Sequence, residues 1–335
     1  MIVALGLLEA ATGITSAYVA DILTLLGLNT GTLLPRFLTV ASVKFNVIAP
    51  ALALIGLLAF IAWRDGLPRT AAGWRLLADG PLGWMLAGFA ALAFFETQNT
   101  GSLEFIGLWP ILLPLLLAWW RKTGDGLRPA VLLLILATAL PSAVICIERG
   151  ARAGLAAPGY AGLPVPDLGP LGRVGVKPEI AARAAAMLEH YAAFPDSYRD
   201  LVRRGQLPSY ILYSEIDYQA SWMLEAQQGI SAIKAWEAAN RRRLASLFTL
   251  DFVDPMNLLL ERTPPTAVPV GVDPGRSTPD LEPDTLAQLR QVDAILAPTC
   301  PLTTAREAIR QHFAGALAGR ERIALAPCWE MYLRP

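Results

Sequence analysis

The stretch Phe94–Trp109, FFETQNTGSLEFIGLW, is a short polar segment between two long apolar runs. Its acidic and amide side chains stand out because charged residues are otherwise sparse from Met1 to Ile147. From Glu148 onward the frequency of charged residues is ordinary. This asymmetry indicates a membrane-embedded region that is followed by a water-soluble region.

The overall composition agrees with a membrane protein. Of the 335 residues, 54% are hydrophobic and 17% are charged, whereas a soluble domain has about 25% charged residues. The formal net charge is zero, so the charge balance does not point to a nucleic-acid partner. Three cysteines exclude a disulfide-dense scaffold, and two histidines are too few for a multi-histidine metal site.

Five apolar runs predict a bundle of about five transmembrane helices, because a bilayer core needs about 20 residues per helix. The runs are residues 2–20, 45–63, 81–95, 105–120 and 129–147. Glu9 interrupts the first run and is either part of a buried pair or substrate contact, or an interfacial residue. The chain begins inside an apolar run, which favours the C-terminal portion of a longer protein. We therefore predict a transmembrane region over residues 1–149.

The charges of the connecting loops predict the topology. The loops 64–80 and 121–128 each carry three basic residues, whereas the loop 96–104 carries two carboxylates and no basic residue. The positive-inside rule places the two basic loops in the cytoplasm and the acidic loop outside. The last helix then delivers the C-terminal half to the outside of a bacterial inner or plasma membrane.

The C-terminal half predicts an extracytoplasmic α/β domain. A Gly- and Pro-rich linker covers residues 150–177, and the domain itself covers residues 178–335. Helical patterns at 178–191, 219–247, 283–291 and 303–318 accompany β-rich runs at 209–213, 246–255, 267–274, 292–301 and 321–334. Alternating strands and helices predict a Rossmann-like layer with a largely parallel sheet.

The acidic outer loop is the first candidate site. Glu96, Gln98, Asn99 and Glu104 could bind sugar hydroxyl groups, or a divalent cation that bridges to a lipid phosphate. The alternative is a solvated turn between two helices, which the Asn-Thr-Gly sequence also favours.

The predicted strand ends of the α/β domain supply the second candidate site. Asp251, Asp254, Asp273 and Arg276 follow β-rich runs, and ligands of α/β sheets bind beyond the carboxyl ends of strands. The alternative is that each Asp-Pro pair only marks a turn. No standard nucleotide, nucleophile or zinc-protease motif is present, so no motif indicates catalysis in this domain.

Two cysteines close strands of similar sequence, ILAPTCP and ALAPCW. If these strands are neighbours, Cys300 and Cys328 lie close together and form a disulfide bond in an oxidising compartment. The alternative is two separate buried thiols. Cys146 lies in the last apolar run and is expected to be free.

The stretch FETQNTGSLEFIGLWPILLPLLLAWW resembles a feature of GT-C type polytopic glycosyltransferases, in which a polar outer loop precedes a helix with a Leu- and Pro-rich run. That run is WPILLPLL here, at Trp109–Leu116. The resemblance implies transfer of a sugar from a polyprenyl-phosphate donor at the outer leaflet. The family has about twice as many helices and an acidic catalytic residue in an early outer loop, so no catalytic residue is carried over.

Two functions from different classes follow. The first is part of an integral-membrane glycosyltransferase that uses a polyprenyl-phosphate-linked sugar. The alternative is a non-enzymatic, membrane-anchored extracytoplasmic domain for binding or assembly. The lipid bilayer is a partner in both.

Overall fold

The computed structural model describes residues 2–29, 33–66, 71–98, 109–121, 124, 126–206, 216–269, 271–275 and 277–335. The chain divides into two compact units. The unit formed by Met1–Leu28 and Ala156–Pro335 is called the α/β unit, and the unit formed by Asn29–Leu155 is called the helical unit. Most of the described residues are helical.

The first predicted span is broken into helices α1 (Ile2–Thr12) and α2 (Ile14–Asn29). Gly13 separates them with a φ of +64°, a left-handed conformation that glycine adopts without a steric penalty. The Glu9 carboxylate accepts a hydrogen bond of 3.1 Å from the backbone nitrogen of Ser16, which satisfies one amide in the first turn of α2. Residues 2–20 therefore do not form one continuous helix.

The helical unit contains six helices among its described residues. They are α3 (Leu33–Val43), α4 (Phe45–Arg64), α5 (Ala71–Asp79), α6 (Pro81–Gln98), α7 (Trp109–Trp120) and α8 (Arg128–Ala156). Helices α4, α6, α7 and α8 share a core around the fully buried Leu54, Met85, Leu116 and Ile135. The Trp109 indole of α7 donates a hydrogen bond of 3.1 Å to Ser142 Oγ of α8.

Two helices of the described chain are long and apolar enough to cross a membrane, namely Phe45–Arg64 and the continuous segment Arg128–Gly159. Most of each apolar window is exposed rather than packed inside the protein, and large side chains such as Phe60, Leu133 and Ile147 point outward. Apolar faces of this kind indicate contact with a bilayer. The other predicted spans form helices that are shorter or broken within the described residues.

The α/β unit is built around a four-stranded sheet. The remaining elements, in chain order, are β1 (Ala161–Gly162), β2 (Gly175–Val176), α9 (Pro178–Ala193), α10 (Pro195–Arg204), α11 (Ile216–Asn240), β3 (Leu247–Thr249), α12 (Met256–Leu259), α13 (Pro283–Gln291), β4 (Ala294–Pro298), α14 (Thr304–His312), α15 (Ala314–Leu317), β5 (Glu321–Ala326) and β6 (Trp329–Leu333). The strand order is β3-β4-β6-β5.

The sheet is mixed rather than largely parallel. Strands β3 and β4 are parallel, whereas the pairs β4–β6 and β5–β6 are antiparallel. The run 321–334, predicted to be β-rich, is a hairpin with its turn at Pro327–Cys328. Within the described part of 267–274 there is no strand, only isolated bridges such as Val253–Gly271. The predicted strand 209–213 lies outside the described residues.

Both faces of the sheet are covered. Leu247, Leu296 and Met331 pack on the side of helices α9 and α11, whose buried residues include Ile230 and Ile233. The alternate residues of the same strands face the opposite core, which contains Phe248, Ile295, Tyr332 and, from the helices, Leu289 and Phe313. The near-continuous apolar sequence of β4 and β6 reflects burial on two faces.

The stretch predicted as a linker, residues 150–177, has regular structure. It begins with the last turns of α8 and continues through a short 3₁₀ turn, the two-stranded pair β1–β2 and the 3₁₀ segment Pro166–Gly172. Leu168 is buried in the α11 core. The Asp167 carboxylate accepts hydrogen bonds from Gln227, Ser231 and Lys234 of α11, the last at 2.7 Å. These contacts attach the stretch to α11.

Candidate ligand-binding site

A buried arginine joins two carboxylates beyond the ends of the parallel strands β3 and β4. Arg306 Nη2 lies 2.7 Å from Glu225 Oε2 and 2.7 Å from Asp251 Oδ2. Asp251 follows β3, Arg306 lies in α14 shortly after β4, and Glu225 belongs to α11. All three side chains are more than nine-tenths buried. This position of an α/β sheet often binds a ligand, but here an internal charge cluster fills it.

Further hydrogen bonds satisfy both carboxylates of the cluster. Glu225 Oε1 accepts bonds from the backbone nitrogen of Cys300 at 2.9 Å and from Arg306 Nη1 at 3.2 Å. Asp251 accepts bonds from Trp222 Nε1 at 3.1 Å and from the backbone nitrogen of Phe252 at 2.8 Å. Because buried charges need such partners, the cluster acts as a structural connection between α11, α14 and the loop after β3.

Burial and the neighbouring charges together shift the pKa values of Glu225 and Arg306. Burial raises the pKa of Glu225 to about 7 against the opposing charge of Arg306, and the neighbouring Asp251 acts in the same direction as burial. Burial also disfavours the charged guanidinium, but Asp251 and Glu225 outweigh this effect and raise the pKa of Arg306 above its ordinary value. Arg306 therefore stays charged, and Glu225 titrates near neutral pH.

A disulfide bond between Cys300 and Cys328 lies beside the cluster, and the Cα atoms of the two cysteines are 5.1 Å apart. It joins the loop after β4 to the turn between β5 and β6. The disulfide bond between Cys300 and Cys328 that the two similar strand ends predict is therefore present. The strands that precede the two cysteines, β4 and β5, lie on either side of β6 in the sheet. Cys146 is a free cysteine, and its side chain is exposed on α8.

A cavity with a volume of about 620 Å³ opens beside this disulfide bond. We call it the arginine cavity. The charged or aromatic side chains that line it are Arg199, Glu307, Arg310, Arg322, Trp329 and Glu330. They come from α10, α14, β5 and β6, so the cavity lies where the loop after β4 meets the β5–β6 hairpin.

One carboxylate holds two arginines in this cavity. Glu330 Oε2 lies 2.9 Å from Arg310 Nη2, and Glu330 Oε1 pairs with Arg322. Burial opposes the ionisation of Glu330, but the bond from Arg322 and the charge of Arg310 outweigh it, so the pKa of Glu330 lies below its ordinary value. The Tyr332 hydroxyl donates a further bond of 2.9 Å to Glu330 Oε2. The two guanidinium groups are thereby fixed in position.

A second cavity, of about 560 Å³, lies beside β3, whose Phe248 forms part of its lining. We call it the proline cavity. Its lining includes Asp254, Asn257, Arg262, Pro264, Pro265 and Pro269. Asp254 accepts bonds from the backbone nitrogen and hydroxyl of Thr249 and from Asn257 Nδ2, with distances of 3.1, 2.8 and 3.0 Å. Burial raises the pKa of Asp254, and these hydrogen bonds act against that rise.

The structure describes three of the four predicted strand-end residues and places two of them in different surroundings. Asp251 is buried against Arg306, whereas Asp254 lines the proline cavity. Asp273 is half-buried, in a segment that pairs with the Asp251–Asp254 loop through the antiparallel bridge Val253–Gly271. Arg276 lies outside the described residues. The carboxylate of Asp251 thus turns into the core, whereas that of Asp254 lies at the proline cavity. The prediction of a binding crevice at these residues stays a prediction.

The candidate residues of the outer loop are only partly covered by the described structure. Glu96 and Gln98 belong to the last turn of α6, and their side chains lie outside the described part. Asn99 and Glu104 lie outside the described residues. The prediction of a polar site in this loop, with or without a divalent cation, therefore stays a prediction.

Within the described residues, one group of three potential metal ligands lies close together, formed by Glu225, Cys300 and Cys328. The two sulfur atoms are bonded to each other, and Glu225 pairs with Arg306. The group therefore does not offer the free thiolates and carboxylate that a metal ion requires.

Reasoning from the sequence missed the charged residues that organise both the buried cluster and the arginine cavity. Glu225 stands in the apolar helical stretch ASWMLEA, and Glu330 stands in the apolar strand WEMYL. A carboxylate inside an apolar element indicates a buried partner. That signal was available in the sequence, but it does not identify Arg306 or Arg310 as the partner.

Comparisons with known proteins find no relative: no family model, no curated protein and no solved structure matches the chain.

Proposed function

We propose that the chain is a membrane-anchored protein whose α/β unit works outside the cytoplasm and binds an anionic ligand in the arginine cavity. Helices α4 and α8 provide the anchor, because both are long and apolar enough to cross a bilayer. This proposal corresponds to the non-enzymatic binding function that the sequence gives as its alternative. The arginine cavity adds a specific place in the α/β unit for the ligand.

The sharing of one carboxylate by two arginines of the arginine cavity carries this proposal. Three basic side chains (Arg199, Arg310 and Arg322) and two acidic ones (Glu307 and Glu330) line the cavity, and Arg199 is paired with Asp196 at 2.8 Å. Arg310 and Arg322 share the single carboxylate of Glu330. A guanidinium group has five N–H donors, so each arginine keeps donors that can bind phosphate or carboxylate oxygens.

The disulfide bond supports a location outside the cytoplasm. Disulfide bonds persist in oxidising compartments and are rare in the cytosol. The basic loops 64–80 and 121–128 predict the same side for the C-terminal half. Two independent features, cysteine pairing and loop charge, thus favour the same topology.

The more specific form of the proposal is the transferase that the sequence resembles. A polyprenyl-phosphate-linked sugar combines an anionic phosphate with a lipid, which suits both an arginine-lined cavity and a membrane anchor. In this form Glu96 and Glu104 contribute to the transfer site, and the α/β unit binds the phosphate-bearing substrate.

A binding measurement tests the general proposal. The full chain in lipid nanodiscs is titrated with a labelled polyprenyl-phosphate sugar, the corresponding sugar 1-phosphate and the neutral sugar. We expect both anionic probes to bind more tightly than the neutral sugar. Arg322→Gln should weaken their binding about tenfold, because one charge-assisted contact is lost. Equal affinity for the neutral sugar, or unchanged binding by the variant, would contradict the proposal.

The matched control is Arg204→Gln. Arg204 and Arg322 are both more than half exposed, and both pair with one carboxylate, but Arg204 lies on α10 outside the cavity lining. Binding by this variant should equal that of the wild type.

A transfer assay tests the specific form. Membranes that contain the chain receive a mixed pool of labelled polyprenyl-phosphate sugars, and Glu96→Gln and Glu104→Gln are compared with the wild type. Transfer that falls in either variant supports the glycosyltransferase. Binding of the anionic probes without transfer assigns the chain to the non-enzymatic class.

A further inference from the structure

Strand β5 forms one edge of the four-stranded sheet. The strand order β3-β4-β6-β5 gives it a single neighbour, β6, among the described strands. An edge strand carries a row of backbone N–H and C=O groups that no other strand binds. Arg322 and Ala324 are exposed on β5, so solvent reaches this edge. The edge is therefore open to a further strand.

The hydrogen bonds of β6 identify which backbone groups of the edge are free. Towards β4, the carbonyl oxygen of Cys328 accepts a bond of 2.9 Å from the backbone nitrogen of Thr299. At the other end of the same pair, the backbone nitrogen of Arg334 donates a bond of 2.9 Å to the carbonyl oxygen of Asp293. Because bonding residues alternate along an antiparallel pair, the even-numbered residues of β6 bond to β4 and the odd-numbered ones bond to β5.

The same alternation directs the backbone of Arg322 and Ala324 away from β6. Their opposite residues in the register are the even-numbered Tyr332 and Glu330. The N–H and C=O groups of Arg322 and Ala324 therefore point to the outer side of β5, and no hydrogen bond within the described part of the chain uses them there. Two residues of a strand span about 7 Å, so one short extended peptide reaches all four groups.

The arginine cavity opens on one face of this edge strand. Arg322, Ala324 and Ala326 belong to its lining, and the two alanines leave room beside the guanidinium group. Residues directly opposite each other on neighbouring strands have Cβ atoms about 4.5–5.5 Å apart and project to the same face. A peptide residue opposite Arg322 would therefore direct its side chain to the cavity side of the sheet.

The charge of Arg322 does not close this edge. A charged side chain on an edge strand often prevents pairing with another chain. The Arg322 guanidinium, however, pairs with Glu330 of the neighbouring strand β6. The side chain thus extends over the face of the sheet towards β6, and the outer side of β5 stays uncovered.

We propose that β5 binds an extended acidic peptide as a fifth, antiparallel strand, with one carboxylate side chain of the peptide opposite Arg322 at the arginine cavity. Main-chain bonds to Arg322 and Ala324 give affinity, as in other strand-addition complexes. Arg310 and Arg322 share one carboxylate, so their remaining donors bind the carboxylate of the peptide. The peptide uses the anionic site proposed above, so its assignment rests on that proposal and names the partner of the binding function.

Isothermal titration calorimetry on the full chain in lipid nanodiscs tests the role of the carboxylate. The parent probe is the capped peptide acetyl-Thr-Val-Glu-Val-Thr-amide, and the second probe has Gln in place of Glu. We expect saturable binding of the parent. The Gln peptide should bind about tenfold more weakly, because the charge-assisted bonds to the arginines are lost.

Two N-methylated forms of the parent peptide test backbone pairing. Opposite Arg322, the N–H of the peptide's Glu faces β5, whereas the N–H of the following Val faces solvent. Methylation of the Glu nitrogen should weaken binding about tenfold, since it removes a main-chain donor. Methylation of that Val nitrogen is the matched control and should leave the affinity unchanged.

Ala324→Pro is the corresponding change in the protein. Proline removes the outward N–H of this residue, and edge strands tolerate proline where the N–H does not bond to the sheet. Parent binding should fall about tenfold. The urea concentration that unfolds half of the α/β unit should stay at the wild-type value. If the variant does not fold, the N-methylated peptides decide the question on the wild type.

The sugar 1-phosphate separates failure of this proposal from failure of the anionic site. Strand addition is overturned if the parent peptide shows no saturable binding while the sugar 1-phosphate binds, and the anionic site then stands. Failure of both probes overturns both proposals. Strand addition is also overturned if the Gln peptide binds as tightly as the parent, if the two N-methylated peptides bind equally, or if folded Ala324→Pro binds the parent as the wild type does.

Discussion

The indole ring of Trp329 lies against Gly229, at a point where helix α11 has no side chain. A Cβ atom at Gly229 would lie 2.6 Å from Trp329 Cε2, which is too close for any real contact. The same indole donates a hydrogen bond of 2.7 Å to the carbonyl oxygen of Glu225. Glycine at this position therefore allows β6 to pack directly on the helix that carries Glu225.

Gly229→Ala is expected to destabilise the α/β unit by about 1–3 kcal/mol, because the indole must move or the helix must shift. The measurement is the urea concentration at which half of the α/β unit is unfolded. It is made on the full chain in detergent, with pulse proteolysis as the method that detects unfolding. Gly315→Ala is the control, since its Cβ would meet Leu286 at an ordinary 3.5 Å. A Gly229 variant as stable as this control would show that the close packing is wrong.

Arg306→Met is expected to destabilise the α/β unit by about 3–5 kcal/mol, because it leaves two buried carboxylates without their positive partner. The same urea measurement applies. The control Arg204→Met removes an arginine whose ion pair with Asp200 is exposed, and such pairs contribute about 0–1 kcal/mol. Similar midpoints for the two variants would contradict the buried cluster.

Glu225 gives the α/β unit a specific pH dependence. Its pKa is about 7 in the folded chain against an ordinary value of 4.5, so between these values the folded state binds more protons than the unfolded state. Stability relative to Glu225→Gln is therefore fully present below about pH 4.5 and falls as the pH rises through about 7. Unfolding midpoints of both proteins across this range test the sign. Parallel profiles would refute it.

Removal of the disulfide bond by the double change Cys300→Ala and Cys328→Ala is expected to destabilise the unit. The cysteines are 28 positions apart. A loop of this length corresponds to a stabilisation between about 3 and about 4.7 kcal/mol in the chain-entropy description. Mass spectrometry after alkylation of the denatured, unreduced wild type should show one modified cysteine, Cys146. Three modified cysteines would show that the bond is absent in the isolated protein.

Elements with a local signal could be predicted from the sequence. Helix α13 begins and ends at the predicted residues 283 and 291, because Pro283 suits the first turn of a helix and an apolar strand follows. Strand β4 lies inside the predicted run 292–301, because its continuous apolar sequence is itself a local signal for a buried strand. Local propensity and burial pattern were sufficient for both.

Features that depend on distant pairing could not be predicted. The direction of strands β5 and β6 depends on a turn at Pro327–Cys328, and the 14-residue run 321–334 is β-rich on both sides of that turn. Arg306 and Glu225 are 81 positions apart, and nothing local to either residue names the other. Nor could the sequence show that Arg306 pairs with Asp251 at the strand end where a ligand is predicted.

The location of the α/β unit outside the cytoplasm is the central claim of this account, and cysteine labelling in intact cells tests it most directly. The reporter is Arg204→Cys, on the exposed surface of α10, in a Cys146→Ala background. We predict that a membrane-impermeant maleimide labels the reporter in intact spheroplasts to the same extent as after lysis. Labelling that requires lysis would place the α/β unit in the cytoplasm and contradict the account.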